Sequence, residues 1–116
     1  FVHPFDDAGV IAGQGTTALE MLEDAPDLDI LVVPIGGGGL IAGMAIAAKA
    51  IKPSIKVIGV EAAMYPSFAT HKRGETCYTG GQTIAEGIAV KLVGDLAFAL
   101  ALPLAASPQG ALPSPA

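Results

Sequence analysis

"VVPIGGGGLIAG", residues 32–43, sets four consecutive glycines between a β-branched run and an apolar stretch. Upstream, "DILVVPI" (29–35) is apolar throughout after its first residue, the pattern of an interior strand covered on both faces in a parallel sheet. Downstream, "LIAGMAIAAKAI" (40–51) is rich in alanine and lacks a polar face before Lys49 and Lys52, which predicts a helix packed on two sides. "KVIGVE" (56–61) returns as a second strand. Strand, loop, helix and strand with short links describe a βαβ crossover, so the fold class read from this segment is α/β with an open, mostly parallel sheet.

Glycines at that bend let the backbone come close to a ligand, and the first turn of the following helix presents N–H groups that have no partner within it. The helix dipole favours negative charge there, and in open α/β sheets ligands lie outside the carboxyl ends of the strands. A tight turn made only for strand-helix packing needs one or two glycines, so four favour a phosphate. A Walker loop is excluded, because Leu40 and Ile41 follow Gly39 where that loop has Lys and Ser or Thr. The dinucleotide fingerprint fits poorly, since Gly36, Gly38, Gly39 and Gly43 leave the third glycine misplaced. Glu61, at the end of the next strand, suits a ribose hydroxyl and keeps a non-catalytic nucleotide-binding or phosphate-binding module as the alternative.

Working outward, "FVHPF" (1–5) reads as a short extended segment stopped by Pro4 and the acidic turn Asp6, Asp7. "VIAGQGTTALEMLEDAP" (10–26) is expected to turn through Gly13 and Gly15 into a helix capped by Thr16 or Thr17, with Glu20 as the capping-box carboxylate and Pro26 as the stop. Leu19, Met21, Leu22 and Ala25 are its expected core stripe. Residues 62–81 form a polar, turn-rich excursion, and "TIAEGIAV" (83–90) is too short and glycine-interrupted to assign. From Leu96 the chain carries no charge and ends in "SPQGALPSPA", a tail whose end is expected to be mobile.

Composition narrows the function classes. The chain has 116 residues, 52% hydrophobic and 15% charged, enough for one domain with a buried core. Six scattered Lys and Arg against a net charge of −5 give no basic stripe, which argues against nucleic acid as a partner. The single Cys77 excludes an internal disulfide and fits a reducing, cytoplasmic setting, and no export signal opens the chain. Nineteen uncharged residues, Ile30 to Ala48, approach the length of a membrane span, but Pro34 and the four glycines interrupt them. No membrane segment is assigned. The chain starts at Phe1 and its first methionine is Met21, so it is read as an excerpt of a longer protein.

"HPFDD" (3–7), "VIAGQGTTALE" (10–20), "LVVPIGGGGLIAG" (31–43), "VIGVE" (57–61) and "QTIAEGIAV" (82–90), in that order, resemble the threonine dehydratase and serine racemase group of pyridoxal-phosphate enzymes, which has the tryptophan-synthase-β-like fold. The resemblance runs from Phe1 to about Leu100, and "CYTGGQTIAEGIAV" (77–90) is closer to the dehydratase side. It implies that residues 1–100 are part of a cofactor-binding catalytic domain and that 101–116 are a divergent tail. It implies pyridoxal 5'-phosphate as cofactor, with Gly36, Gly37, Gly38, Gly39 and Leu40 around the phosphate and Glu86 and Gly87 bordering the ring. The implied reaction of the parent deaminates a β-hydroxy amino acid, threonine or serine, to a 2-oxo acid and ammonia. Serine racemase or hydroxyaspartate dehydratase activity belongs to the same group. A homo-oligomeric cytoplasmic enzyme of amino-acid metabolism, with isoleucine biosynthesis as its setting, completes the picture drawn from the resemblance.

Two departures bound it. The group's Schiff-base lysine sits in a Ser-Phe-Lys motif ahead of the matched part, and none of Lys49, Lys52, Lys56, Lys72 or Lys91 has that context. No catalytic residue is therefore assigned, the fragment alone is expected to be inactive, and the tail "LPLAASPQGALPSPA" does not continue as the group does. Metal-dependent members place a carboxylate at the position of Glu61 with an aspartate six residues later, where this chain has Ser67 and, four residues after Glu61, Tyr65. Too few charged oxygens remain for a divalent cation, and no metal site is assigned. His3 beside Asp6 and Asp7 reads as a solvated turn, His71 as a surface residue, and Glu20, Glu23 and Asp24 as a solvated helix face.

Overall fold

Asp7 starts the first helix. Its carboxylate accepts hydrogen bonds from the N–H groups of Gly9 (2.8 Å) and Val10 (3.1 Å), which would otherwise lack partners in the first turn. The computed structural model describes residues 2–62, 94–101, 103 and 104. Among these, α1 spans Ala8–Asp24, β1 Ile30–Pro34, α2 Gly39–Ile51, β2 Lys56–Val60 and α3 Asp95–Ala101. β1 and β2 pair in parallel, Ile30 beside Lys56 through Pro34 beside Val60, and the ladder continues with Ile35 N–H donating to the Val60 carbonyl at 2.7 Å. The crossover read from the sequence is present, and its strands and central helix start and end within a residue of the expected limits.

Two expectations fail. α1 does not begin at Thr16: Gly13 and Gly15 lie inside it, and the Thr16 hydroxyl donates back to the Gly13 carbonyl at 2.7 Å instead of capping a terminus. Starting eight residues earlier, the helix buries Ile11, Gly15, Ala18 and Leu22, one residue per turn along one face, while Leu19, Met21 and Ala25 are exposed. Nor is β1 covered on both faces: Leu31 and Val33 are buried, but Ile30 and Val32 are 51% and 65% exposed. The continuous apolar run thus encodes one core face and one apolar face that the described residues leave uncovered.

The core lies between the sheet and α2. Leu31, Val33, Ile35, Ile55 and Val57 meet Ile41, Met44, Ala45 and Ala48, and α1 and α3 pack against α2 from the other side. α2 is packed on two sides, as its composition predicts. α1 reaches it at bare backbone: a Cβ on Gly43 would press on the Ile11 carbonyl and stand 2.7 Å from the Gly15 nitrogen, too close for any side chain. The C-terminal end of α2 is tied to neighbouring loops, with the Lys49 ammonium donating to the Ile55 carbonyl and the Lys52 ammonium to that of Leu28 at 2.7 Å. Among the described residues, no helix is long and apolar enough to cross a membrane.

Candidate functional site

Parallel pairing brings the carboxyl ends of β1 and β2 to one edge, so the loop after Pro34 and Glu61 after Val60 share that edge. The loop residues Gly36 to Gly39 run from Ile35 into α2. Gly38 is the N-cap of that helix and has φ 100°, a left-handed conformation that costs any L side chain. Its carbonyl accepts the first helical bond, from Ala42 N–H at 3.0 Å. The N–H groups of Gly39, Leu40 and Ile41 therefore have no helical partner. Among the described residues, no other acceptor takes a hydrogen bond from any N–H group between Gly36 and Ile41. Several oriented amides at a helix N-terminus, on a bend without side chains, are a donor set for an anion.

The glycines also have a structural duty, larger than the sequence reading allowed for. The ring of Phe5 occupies the space a Gly37 Cβ would need, and the Phe5 carbonyl lies 2.8 Å from where a Gly39 Cβ would stand. Close packing and the positive φ at Gly38 together account for three of the four glycines. The number of glycines is then weak evidence for a ligand, and the amides without an acceptor among the described residues are the stronger evidence.

"HPFDD", read as a solvated turn, is a built junction against that loop. His3 Nδ1 accepts from the N–H groups of Phe5 (3.3 Å) and Asp6 (3.0 Å), and the His3 ring meets the Phe5 ring edge-on with centroids 4.6 Å apart. Asp6 reaches to α3, where its carboxylate accepts from Ala97 N–H at 3.0 Å. Gly94, just before α3, donates its N–H to the Gly37 carbonyl at 3.0 Å. Phe5, Asp6 and Gly94 have no local sequence signal for this role, because each partner is remote along the chain.

The other candidate residues fall into place around this edge or away from it. Glu61 is buried at 8% exposure, Glu20, Glu23 and Asp24 are exposed on α1, and no three His, Cys, Asp or Glu residues gather closely enough for a metal among the described residues. Glu86 and Gly87, together with Tyr65, Ser67, His71, Lys72, Cys77 and Lys91, lie outside the described residues. Lys49 stands ten residues beyond Gly39 on α2, about 15 Å along the axis, and Lys52 lies farther still. Neither ammonium reaches a group held at the loop, and both are engaged at the opposite end of the helix. An apolar groove of about 360 Å³ between α1, α2 and α3 is lined by Ile11, Leu19, Ile46 and Leu100 among others and includes none of the loop residues.

Comparison with known proteins gives this geometry its family. The family model described as pyridoxal-phosphate dependent enzyme matches residues 1–106. The L-threonine ammonia-lyase of Thermotoga maritima is 54% identical over 102 residues, covering 86% of this chain and 25% of the relative. Among solved structures, the processed form of threonine deaminase isoform 2 from Solanum lycopersicum superposes with a TM-score of 0.81 at 39% identity, over 97% of this chain and 31% of that one. Maize serine racemase does so with a TM-score of 0.80 at 36% identity, over 97% and 35%. The chain thus spans about a quarter of the length of the curated relative and about a third of the solved ones. A glycine loop at the carboxyl edge of a parallel βαβ unit, matched over nearly the whole chain, places it in the family of pyridoxal-phosphate-dependent enzymes.

Proposed function

We propose that this chain is the phosphate-binding part of an ammonia-lyase acting on threonine, and on serine as a second substrate, to give a 2-oxo acid and ammonia. The observation that carries the reading is the run of N–H groups from Gly36 to Leu40 at the N-terminus of α2, without an acceptor among the described residues. These donors fit the dianionic phosphate of pyridoxal 5'-phosphate, because backbone amides and a helix dipole supply attraction without a side chain that would crowd the ester. Once bound, pyridoxal phosphate supplies the electron sink for loss of an amino acid's α-proton and β-hydroxyl.

What this chain's residues do is hold and orient. Gly36, Gly37, Gly38, Gly39 and Leu40 grip the phosphate, and α2, wedged between the sheet and two helices, keeps the donors in fixed directions. Glu86 and Gly87 border the cofactor ring in this reading, by resemblance alone. Proton transfer at the α-carbon needs a base close to the cofactor. Lys49 and Lys52 are too far from the loop to be that base.

The preference for a lyase over a racemase rests on the sequence relatives, proteins named threonine ammonia-lyase and threonine dehydratase at 54% and 48% identity; among the solved structures a threonine deaminase and a serine racemase stand level at 39%. The test is an assay of the full chain that carries these residues, loaded with pyridoxal phosphate. Release of 2-oxobutanoate from L-threonine is expected to exceed both pyruvate release from L-serine and the appearance of D-serine. Faster D-serine formation than 2-oxo acid release would reassign the protein to the racemases.

A further inference from the structure

The contacts of Phe5 point to a role that phosphate binding by the loop does not itself require. Its ring covers the face of Gly37 where a Cβ would project, and its carbonyl approaches the corresponding position on Gly39. His3 holds the ring in place, accepting from the N–H groups of Phe5 and Asp6 and packing edge-on against the ring. The carbonyl of the same Gly37 is fixed from the other direction by Gly94 N–H at 3.0 Å, and Asp6 fixes α3 beside it through Ala97 N–H. A glycine peptide is the most freely rotating link a chain can have, and here it is clamped at its carbonyl and at the face of its α-carbon.

We propose that Phe5, braced by His3, is a positioning residue for the phosphate-binding amides: its ring holds the Gly37 peptide in the orientation that aims the loop's N–H groups before any phosphate arrives. This rests on the phosphate-binding reading of the loop. Without the ring, the loop has to be ordered at the moment of binding, and that ordering is subtracted from affinity for the phosphate alone. The part of the cofactor that never touches the loop is unaffected.

The experiment titrates the cofactor-free full chain with pyridoxal 5'-phosphate and, separately, with pyridoxal, following ligand absorbance. Phe5→Ala is expected to weaken pyridoxal phosphate about tenfold and leave pyridoxal unchanged, with Phe5→Leu in between. Leu22→Ala, a core substitution remote from the loop, is expected to lower thermal stability without moving either affinity. Gly37→Ala is expected to weaken phosphate binding strongly when Phe5 is present and much less in the Phe5→Ala background, because the added methyl collides with the ring. Wild-type preference for pyridoxal phosphate that persists undiminished in Phe5→Ala and Phe5→Leu would overturn the inference and leave the phosphate reading standing. Should Phe5→Ala fail to fold, Phe5→Leu decides alone. Equal damage from Gly37→Ala in both backgrounds would also overturn it, by showing that the methyl meets the phosphate rather than the ring. If the wild type binds pyridoxal as tightly as its phosphate ester, the loop reading and the inference fall together.

Discussion

Gly38 is the residue whose conformation bears most on the site. At φ 100° it opens α2 in a left-handed conformation, and the amides that follow it, of Gly39, Leu40 and Ile41, have no partner within the helix. Replacing it has two separable effects. Gly38→Ala is expected to lower the free energy of unfolding by about 1–2 kcal/mol through backbone strain, measured by denaturant titration. Gly38→Val adds β-branched bulk beside the donors and is expected to abolish selective binding of pyridoxal phosphate over pyridoxal while circular dichroism stays largely unchanged. Undiminished selectivity in the valine variant would count against the phosphate assignment. At this scale the sequence was legible where chemistry is local. Four glycines after a strand announce a bend whatever the partners. The seat of Phe5 on Gly37 and the reach of Asp6 to Ala97, 91 positions away, leave no local trace, so the turn looked solvated when it is bonded.

At the scale of elements, α1 shows how tertiary contact reverses a local preference. Glycine in a helix interior costs about 1 kcal/mol relative to alanine, which is why Gly13 and Gly15 read as a turn. Gly15 is retained in the helix because α1 and α2 touch backbone to backbone there, whereas Gly13 has nothing within 4 Å of its missing Cβ. The open position and the crossing should respond oppositely to the same substitution. Gly13→Ala is expected to stabilise the fold by about 0.5–1 kcal/mol through helix propensity. Gly43→Ala, whose methyl would strike the Ile11 carbonyl, is expected to destabilise it by about 1–3 kcal/mol through overpacking. Thermal melts of the full chain check both signs, and a neutral Gly43→Ala would contradict the close crossing. The signal that would have placed the helix start was present in Asp7 followed by Ala8, Gly9 and Val10, a capping residue ahead of a stripe at Ile11, Gly15, Ala18 and Leu22.

For the whole molecule, the βαβ unit was legible almost to the residue because apolar period, chain reversal and link length all agree over residues 29–61. Coverage of the sheet was not. A β-branched run reads the same whether a second layer is present or not, and here Ile30 and Val32 face outward with no layer from the described residues upon them. The site follows the same division. The loop and the edge of the sheet on which it sits came from pattern, the brace came only from the fold, and Glu86 and Gly87 rest on resemblance.

The most direct measurement is a crystal structure of the full chain with pyridoxal 5'-phosphate. Phosphate oxygens are expected about 2.7–3.2 Å from backbone nitrogens between Gly36 and Leu40, with Phe5 still seated on Gly37. A phosphate bound elsewhere, with those amides donating to the protein's own carbonyls, would contradict the account.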